Sequence, residues 1–269
     1  MATPENFGVR GERPSDPELL DWLASELIKS GWSRKHLIRV IVHSSTYRQA
    51  SGHQPDLAGQ DQENRRLSRQ NRFRVEAEIV RDLSLTVSGL LDRTVSGPRI
   101  QPPLPDALMR GLELKNECFM HPSEGADGYR RGVYVTAQRT FTYPMFKEFD
   151  VADPNAPCTL RDQSITPQQA LALMNDPVFV QCARELGLRL VRECAGGRDA
   201  RIEYAFQLCL ARRPSPQESA VLGEVYEGHR SAYAKELRLA RALVADAGRR
   251  CLGRHGGLDR RRADDHQSG

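Results

Sequence analysis

Residues 166–197 read TPQQALALMNDPVFVQCARELGLRLVRECAGG and contain two helix starts followed by one helix stop. Thr166-Pro167, with Gln169 three positions after the threonine, matches the pattern of an N-terminal capping box. Asp176-Pro177 interrupts the apolar periodicity and predicts a second N-cap, because the residue before a proline disfavours helical backbone. Gly196-Gly197 then ends the second helix. This half of the chain is therefore predicted to be helical.

The same device begins helices elsewhere in the chain. Ser215-Pro216-Gln217-Glu218 predicts one more start, and the first residue of Ser15-Asp16-Pro17-Glu18 is predicted to cap another. Leucines recur at helical spacing over residues 19–27, and Gly31 ends that helix. Ser33 starts the next helix after a short connection, so these two helices are predicted to form an antiparallel hairpin.

The central part of the chain carries one helix pattern and one strand pattern. Apolar residues spaced three or four apart predict a helix over about residues 74–91. Val133, Val135 and Ala137 alternate with polar neighbours and predict a strand, whose partner is expected within residues 110–120. The predicted fold class is therefore mainly α, a multi-helix domain with a small β element near residues 131–143.

Proline density and periodicity suggest how the chain is organised. A helical N-terminal unit is expected over residues 1–95, and a proline-rich loop with the short β segment over residues 96–165. A helical C-terminal unit follows over residues 166–247, and residues 1–247 are expected to form one domain. Residues 248–269 lose the apolar pattern and are expected to be a disordered tail.

Composition and cysteine spacing exclude several classes of protein. No apolar run is long enough to span a membrane, and residues 1–11 lack the apolar core of a signal peptide. Residues 249–266 hold six arginines and three aspartates, so most of the net charge of +4 lies in the tail and no nucleic-acid partner is expected. None of the six cysteines forms a C-x-x-C pair. No metal site is predicted.

One segment carries charges that are candidates for chemistry. Arg74, Glu78 and Asp82 recur every four residues along the predicted helix, with Arg81 beside them. Such a face is typical of a solvated surface with ion pairs, which is the simpler interpretation. The alternative is a paired-carboxylate site in which one acid with a raised pKa works beside a charged partner.

Arginines around the predicted strand are further candidates for this site. A guanidinium can bind the carboxylate, sulfate or phosphate of a ligand through two parallel hydrogen bonds. They could equally pair with buried aspartates. The candidate catalytic carboxylates are Glu78, Asp82 and Asp150. The candidate binding residues in this set are Arg74, Arg81, Arg131, Tyr134 and Arg139.

Several segments together resemble a known family. They are Pro17-Glu18-Leu19-Leu20-Asp21-Trp22-Leu23-Ala24, Thr46-Tyr47-Arg48-Gln49, Arg74-Val75-Glu76-Ala77-Glu78, Tyr129-Arg130-Arg131-Gly132-Val133-Tyr134, Phe149-Asp150, Thr166-Pro167-Gln168-Gln169-Ala170-Leu171 and Leu173-Met174-Asn175-Asp176-Pro177. Over about residues 3–245 the chain resembles the C-terminal domain of unknown function in large planctomycete proteins, which often also contain a cytochrome c domain.

The resemblance implies an exported, extracytoplasmic, multidomain protein. Haem would be bound only by a cytochrome module upstream, and no cofactor is expected in this chain. Arg161 is a further candidate binding residue, although Asp162 stands where the family pattern has a second arginine. The expected partners are the upstream domains of the same protein, with extracellular polysaccharide as a further candidate.

Two functional hypotheses follow, and they leave open whether the chain is an enzyme. The first is a non-catalytic scaffold or interaction domain of a larger exported, cytochrome c-associated protein. The second is a hydrolase-like domain that acts on extracellular polysaccharide through an acidic and arginine-lined cleft. Convergence of the candidate residues in one pocket favours the hydrolase, whereas carboxylates that are buried and paired with arginines favour the scaffold.

Overall fold

The structure is a computed structural model that describes residues 9–52, 61, 64–105, 108–109, 122–139, 141–161 and 163–243. The described chain is mainly helical, which confirms the predicted fold class. Its α-helices are α1 (Pro17–Lys29), α2 (Arg34–His43), α3 (Ala77–Ser88), α4 (Pro144–Glu148), α5 (Pro167–Asn175), α6 (Pro177–Glu193), α7 (Arg198–Leu210) and α8 (Pro216–Lys235). Short 3₁₀ turns occupy Gly125–Tyr129 and Gly132–Tyr134.

Contacts within the chain define two compact units. The first consists of the described residues of Met1–Arg74 and Ala156–Gln163, and the second of those of Val75–Asn155 and Ser164–Gly269. Helices α1 and α2 therefore belong to the first unit, and α3 to α8 belong to the second. The expected tail at residues 248–269 lies outside the described residues.

Helices α1 and α2 form the predicted hairpin in the first unit. The N-cap of α1 is Asp16, whose carboxylate accepts a hydrogen bond from the Leu19 amide at 2.9 Å. The predicted cap at Ser15 is wrong because Pro17 takes the first helical position, which makes the residue directly before it the cap. Ser33 caps α2 as predicted, and His36 joins the two helices through a 2.8 Å contact with Glu26.

The β element near residues 131–143 is smaller than the expected strand. Two isolated bridges pair Arg130 with Asp92 and Val135 with Ile100, and the 3₁₀ turn lies between them. The backbone turns here because Gly132 packs directly against α3. The pairing partner is thus the segment around Ile100, whereas the expected partner at residues 110–120 lies outside the described residues.

The caps predicted around α5, α6 and α8 are confirmed. Gln169 accepts from the Thr166 amide at 3.4 Å, and Asp176 accepts from the Val178 amide at 2.9 Å. Ser215 and Glu218 form a complete capping box at the start of α8. These short-range bonds satisfy amides that a helix N-terminus otherwise leaves unpaired.

The second unit has an apolar core on which α3 and α6 pack against each other. Ala77, Arg81, Leu85 and Ser88 form the buried face of α3. One cluster of buried residues comprises Ala77, Leu104, Tyr143, Met145, Phe146, Phe149 and Phe179. A second comprises Leu85, Leu90, Val178 and Cys182. An arginine therefore lies on a helix face that is otherwise apolar or small.

Among the helices that the structure describes, none combines the length and the apolar composition that crossing a bilayer requires.

Gly132 is predicted to be intolerant of any side chain. A Cβ at this position would lie 2.8 Å from the Glu78 carbonyl oxygen and 2.9 Å from the Glu78 Cα, which are backbone atoms that cannot rotate away. We expect Gly132→Ala to lower the free energy of unfolding by about 2 kcal/mol in urea titrations. Gly187→Ala is the control, because nothing lies within 4 Å of its Cβ position in α6. The control should be neutral or stabilising by up to about 1 kcal/mol, and equal losses in both variants would contradict the proposed packing.

Candidate functional site

Arg81 is the most deeply buried of the candidate site residues, with 1% of its surface exposed. Its position on the core face of α3 directs the guanidinium towards the loop that contains the first 3₁₀ turn. Nη1 donates to the Arg130 carbonyl at 2.5 Å and Nη2 donates to the Gly128 carbonyl at 2.7 Å. Desolvation lowers the pKa of Arg81, and Tyr143 and Asp82 oppose that shift. The guanidinium thus donates two hydrogen bonds to two different main-chain carbonyls.

Asp82 lies close to two candidate arginines and to the loop that contains one of them. Its Oδ1 accepts from the Gly132 amide at 2.6 Å and lies 4.0 Å from Arg81 Nη1. Its Oδ2 lies 3.9 Å from Arg131 Nε. Asp82 is thus within 4.0 Å of two of the candidate arginines. Desolvation raises the pKa of Asp82, whereas the Gly132 hydrogen bond and the arginines lower it by less.

Arg130 is a second buried arginine, and it lies in the loop whose carbonyls Arg81 binds. It was not among the residues predicted for the site. It donates to the carbonyls of Pro98, at 2.6 Å, and Ser96. Its guanidinium lies 4.1 Å from the ring centroid of Tyr134, which is cation–π geometry. The Tyr134 hydroxyl in turn accepts from the Ser96 amide at 2.8 Å. Arg130 and Tyr134 together hold the segment that ends in Gly97-Pro98.

Glu78 and Asp150 have surroundings of their own. Glu78 is half-buried at the start of α3, where its backbone and Cβ form the surface against which Gly132 packs. The Asp150 carboxylate accepts from the Ser164 amide at 2.8 Å and from the Ser164 hydroxyl at 2.8 and 2.9 Å. Asp150 also has a left-handed backbone with φ +56°. Asp150 and Ser164 flank residues 151–163 in the sequence, so these hydrogen bonds hold the two ends of that segment close together.

The remaining candidates are Arg74, Arg139 and Arg161. The helix α3 begins at Ala77, so the predicted helical face that started at Arg74 is corrected to one that contains Glu78 and Asp82. Arg74 and Arg161 belong to the first unit. Arg139 is exposed, and its carbonyl accepts from Asn155 at 3.3 Å. Arg81, Asp82 and Arg131 are therefore joined by direct contacts, and Tyr134 lies against Arg130 of the same loop.

A buried polar pair in the second unit was also missed by sequence reasoning. The Tyr143 hydroxyl donates to Asp176 Oδ2 at 3.2 Å, while Asp176 Oδ1 caps α6. Desolvation raises the pKa of both groups. The Asn175-Asp176-Pro177 motif identified Asp176 as a cap, but nothing local in the sequence indicated that a tyrosine 33 positions away would meet it.

A polar groove of about 520 Å³ lies in the second unit, and Asp82 is not among its lining residues. The C-terminal end of α3 and one face of α6 form its walls, with Glu185, Arg189 and Glu193 on the α6 side. Arg189 donates to the Val87 carbonyl at 2.7 Å and to Glu193 at 3.0 Å, so it serves the end of α3 and its own helix. Within the described ranges, no group of three or more His, Cys, Asp and Glu side chains is arranged to hold a metal ion.

Fold and polar contacts together define a mainly helical domain whose buried arginines bind the main chain of its own loops. Residues 1–226 match the family model described as PSD1, a protein of unknown function (DUF1553), and the chain belongs to that family. Searches among curated proteins and among solved structures found no match.

Arg81 is predicted to be indispensable for the fold. Arg81→Met keeps the side-chain volume but leaves two buried carbonyls without donors, so we expect the free energy of unfolding to fall by about 3 kcal/mol. Arg131→Met is the matched control, because 48% of the Arg131 side chain is exposed and it contacts the same carboxylate. The control should lose less than about 1 kcal/mol in the same urea titration. Similar losses of unfolding free energy in both variants would contradict the prediction, because they would show that the buried Arg81 contributes no more to stability than the exposed Arg131.

Asp82 is predicted to make the stability depend on pH. Its pKa is raised in the folded state, so between the ordinary and the raised pKa the folded chain binds a proton that the unfolded chain has released. The free energy of unfolding contributed by this group therefore falls as the pH rises from about 4 through the raised pKa. The asparagine of the Asp82→Asn variant cannot ionise. The free energy of unfolding of this variant should therefore decline less steeply with pH than that of the wild type. The measurement is chemical denaturation at a series of pH values, and an unchanged slope in the variant would contradict the assignment.

Proposed function

We propose that this chain is a non-catalytic scaffold or interaction domain of a larger protein. The observation that carries the proposal is the way in which Arg81 and Asp82 are used. Both of the Arg81 Nη atoms and one Asp82 oxygen bind main-chain groups of the 128–132 loop at 2.5–2.7 Å. A catalytic acid needs an oxygen that reaches substrate, whereas these groups hold the shape of the domain.

The larger protein in this proposal is exported and associated with a cytochrome c module. Support comes from the resemblance to large multidomain proteins. In this view haem stays in the separate module, and the partners of this chain are other domains of the same protein. Placement outside the cytoplasm follows from the same resemblance.

A second candidate function is supported by one observation, the raised pKa of Asp82 beside Arg131. A general acid needs a raised pKa, and a polysaccharide hydrolase would use it to protonate the leaving oxygen. Such an enzyme also needs a second carboxylate close to the first. The Asp150 carboxylate is hydrogen-bonded to Ser164. Glu78, one turn before Asp82 on α3, packs its backbone against Gly132. Neither contact supports a second catalytic carboxylate that faces Asp82 across a substrate.

The two functions are separated by comparing Asp82→Asn with Asp82→Ala. Asparagine keeps an oxygen that can accept from Gly132, whereas alanine leaves that amide without its partner. A structural role predicts that alanine lowers the free energy of unfolding by about 1–2 kcal/mol and that asparagine largely restores it.

The same two variants are then assayed for release of reducing ends from a panel of soluble polysaccharides. The scaffold proposal predicts that wild type and both variants release equal, background amounts. Hydrolysis by wild type that is lost equally in Asp82→Asn and Asp82→Ala would overturn it, because catalysis needs the proton rather than the acceptor.

A further inference from the structure

The second half of α8 is exposed on every side. Gly223 is the buried residue of this helix, and each residue from Glu224 to Lys235 is exposed. This half of α8 rises about 18 Å along the helix axis. A helix of this length is only marginally stable in water when none of its sides is packed. A further surface is therefore expected to cover it.

The side of α8 that is turned towards α7 is identified by its contacts with Arg198. The Arg198 guanidinium lies 3.6 Å from the Glu227 carboxylate and 3.4 Å from the position of a Gly223 Cβ. The opposite side carries small and apolar residues at spacings of four, three and four positions, which line up along the surface of a helix. These residues, the α8 face, are Val221, Val225, Gly228 and Ala232. Val221 and Val225 are 59% and 49% exposed, so the α8 face is open.

The described chain offers no reason for a glycine at position 228, in the middle of the α8 face. Nothing lies within 4 Å of the position that a Gly228 Cβ would occupy, so no contact within the described residues requires its small size. The residue is helical, and glycine disfavours the interior of a helix. Close approach of another backbone is a situation in which glycine is favoured. Gly228 therefore points to a second helix that crosses α8 at this position.

Two charges lie along the same edge of the α8 face. Glu224 and Lys235 are eleven positions apart, which is about three helical turns, so they mark opposite ends of that edge. Both are exposed, and neither has an ion-pair partner among the residues that the structure describes. Arg230, between them in sequence, lies 3.6 Å from Glu227 and is paired within the helix. One end of the edge is therefore negative and the other end is positive.

We propose that the chain forms a homodimer in which the α8 faces of two copies pack antiparallel about a two-fold axis near residues 229–230. Such an axis, perpendicular to the helices, brings the same edge of both faces together with opposite ends aligned. Glu224 of each copy then meets Lys235 of the other copy, and Gly228 crosses Ala232 where the backbones are closest. The inference rests on the proposed function as an interaction domain and names a second copy as its partner.

Other arrangements use these features less well. A parallel pair cannot join Glu224 to Lys235, because these residues lie about 16 Å apart along the helix axis. A helix at a membrane surface has a broad apolar side with basic residues around it, whereas the α8 face is bordered by charges of both signs. A helix of another protein matches this edge only if it carries the two charges in reverse order. A second copy supplies that order by symmetry alone.

The dimer is measured on the full chain by sedimentation equilibrium at a series of concentrations. The wild type should pass from monomer to dimer as the concentration rises. Glu224→Lys sets two lysines against each other at both ends of the interface, so it should raise the dissociation constant at least about tenfold. Lys235→Glu should do the same. The variant that carries both changes has opposite charges in both pairs again and should return to within about threefold of the wild type.

Two further variants separate the interface from general effects of charge and helix stability. Asp21→Lys makes the same change of charge at an exposed position of α1, and it should leave the dissociation constant within about threefold of the wild type. Gly228→Leu fills the space between the two helices and should raise the dissociation constant at least about tenfold. Leucine favours a helix more than glycine does, so circular dichroism of this variant should show no loss of helix.

A wild-type chain that stays monomeric at every concentration would overturn the inference. So would a dimer that Glu224→Lys and Gly228→Leu leave intact, because the interface would then lie elsewhere, or a double variant that stays as weak as the single ones. A monomer that releases only background reducing ends refutes the dimer and leaves the proposed function in place. Hydrolysis that depends on Asp82 would instead refute the proposed function, whatever the state of assembly.

Discussion

The buried guanidinium of Arg81 is the constraint on which the second unit depends. A charged group in an apolar core is unfavourable unless it is hydrogen-bonded, and both of the Arg81 Nη atoms find their acceptors outside α3. The loop from 128 to 132 supplies two carbonyls, and Gly132 can approach closely because it has no side chain. Asp82 completes the arrangement by binding the Gly132 amide. Helix and loop are therefore fixed against each other by polar contacts at their centre.

Local sequence signals predicted much of the fold. The caps at Ser33, Thr166, Asp176 and Ser215 depend on residues within three positions of each other, so they can be recognised in the sequence. The cap of α1 was displaced by one residue because two candidate residues precede the proline. The strand near residues 131–143 was over-predicted, because apolar alternation also fits an extended segment interrupted by a 3₁₀ turn.

The candidate site was less predictable, because its contacts are distant in sequence. Arg81 meets acceptors 47 and 49 positions away, and no periodicity indicates that an arginine in a charged segment faces the core. Arg130 was overlooked for the same reason, since its partners Ser96 and Pro98 lie in an irregular segment. The charges that resembled a catalytic cluster thus include several that maintain the fold.

The most direct test of this role for the polar cluster is hydrogen exchange at the Gly132 amide, measured by NMR in the native protein. This amide donates to Asp82 in the contact between α3 and the loop that Arg81 also binds. If the cluster holds the second unit together, the amide exchanges only through global unfolding, with a free energy close to that from denaturant titration. Exchange as fast as that of an exposed loop amide would contradict this role, because it would show that the loop opens while the helices remain folded.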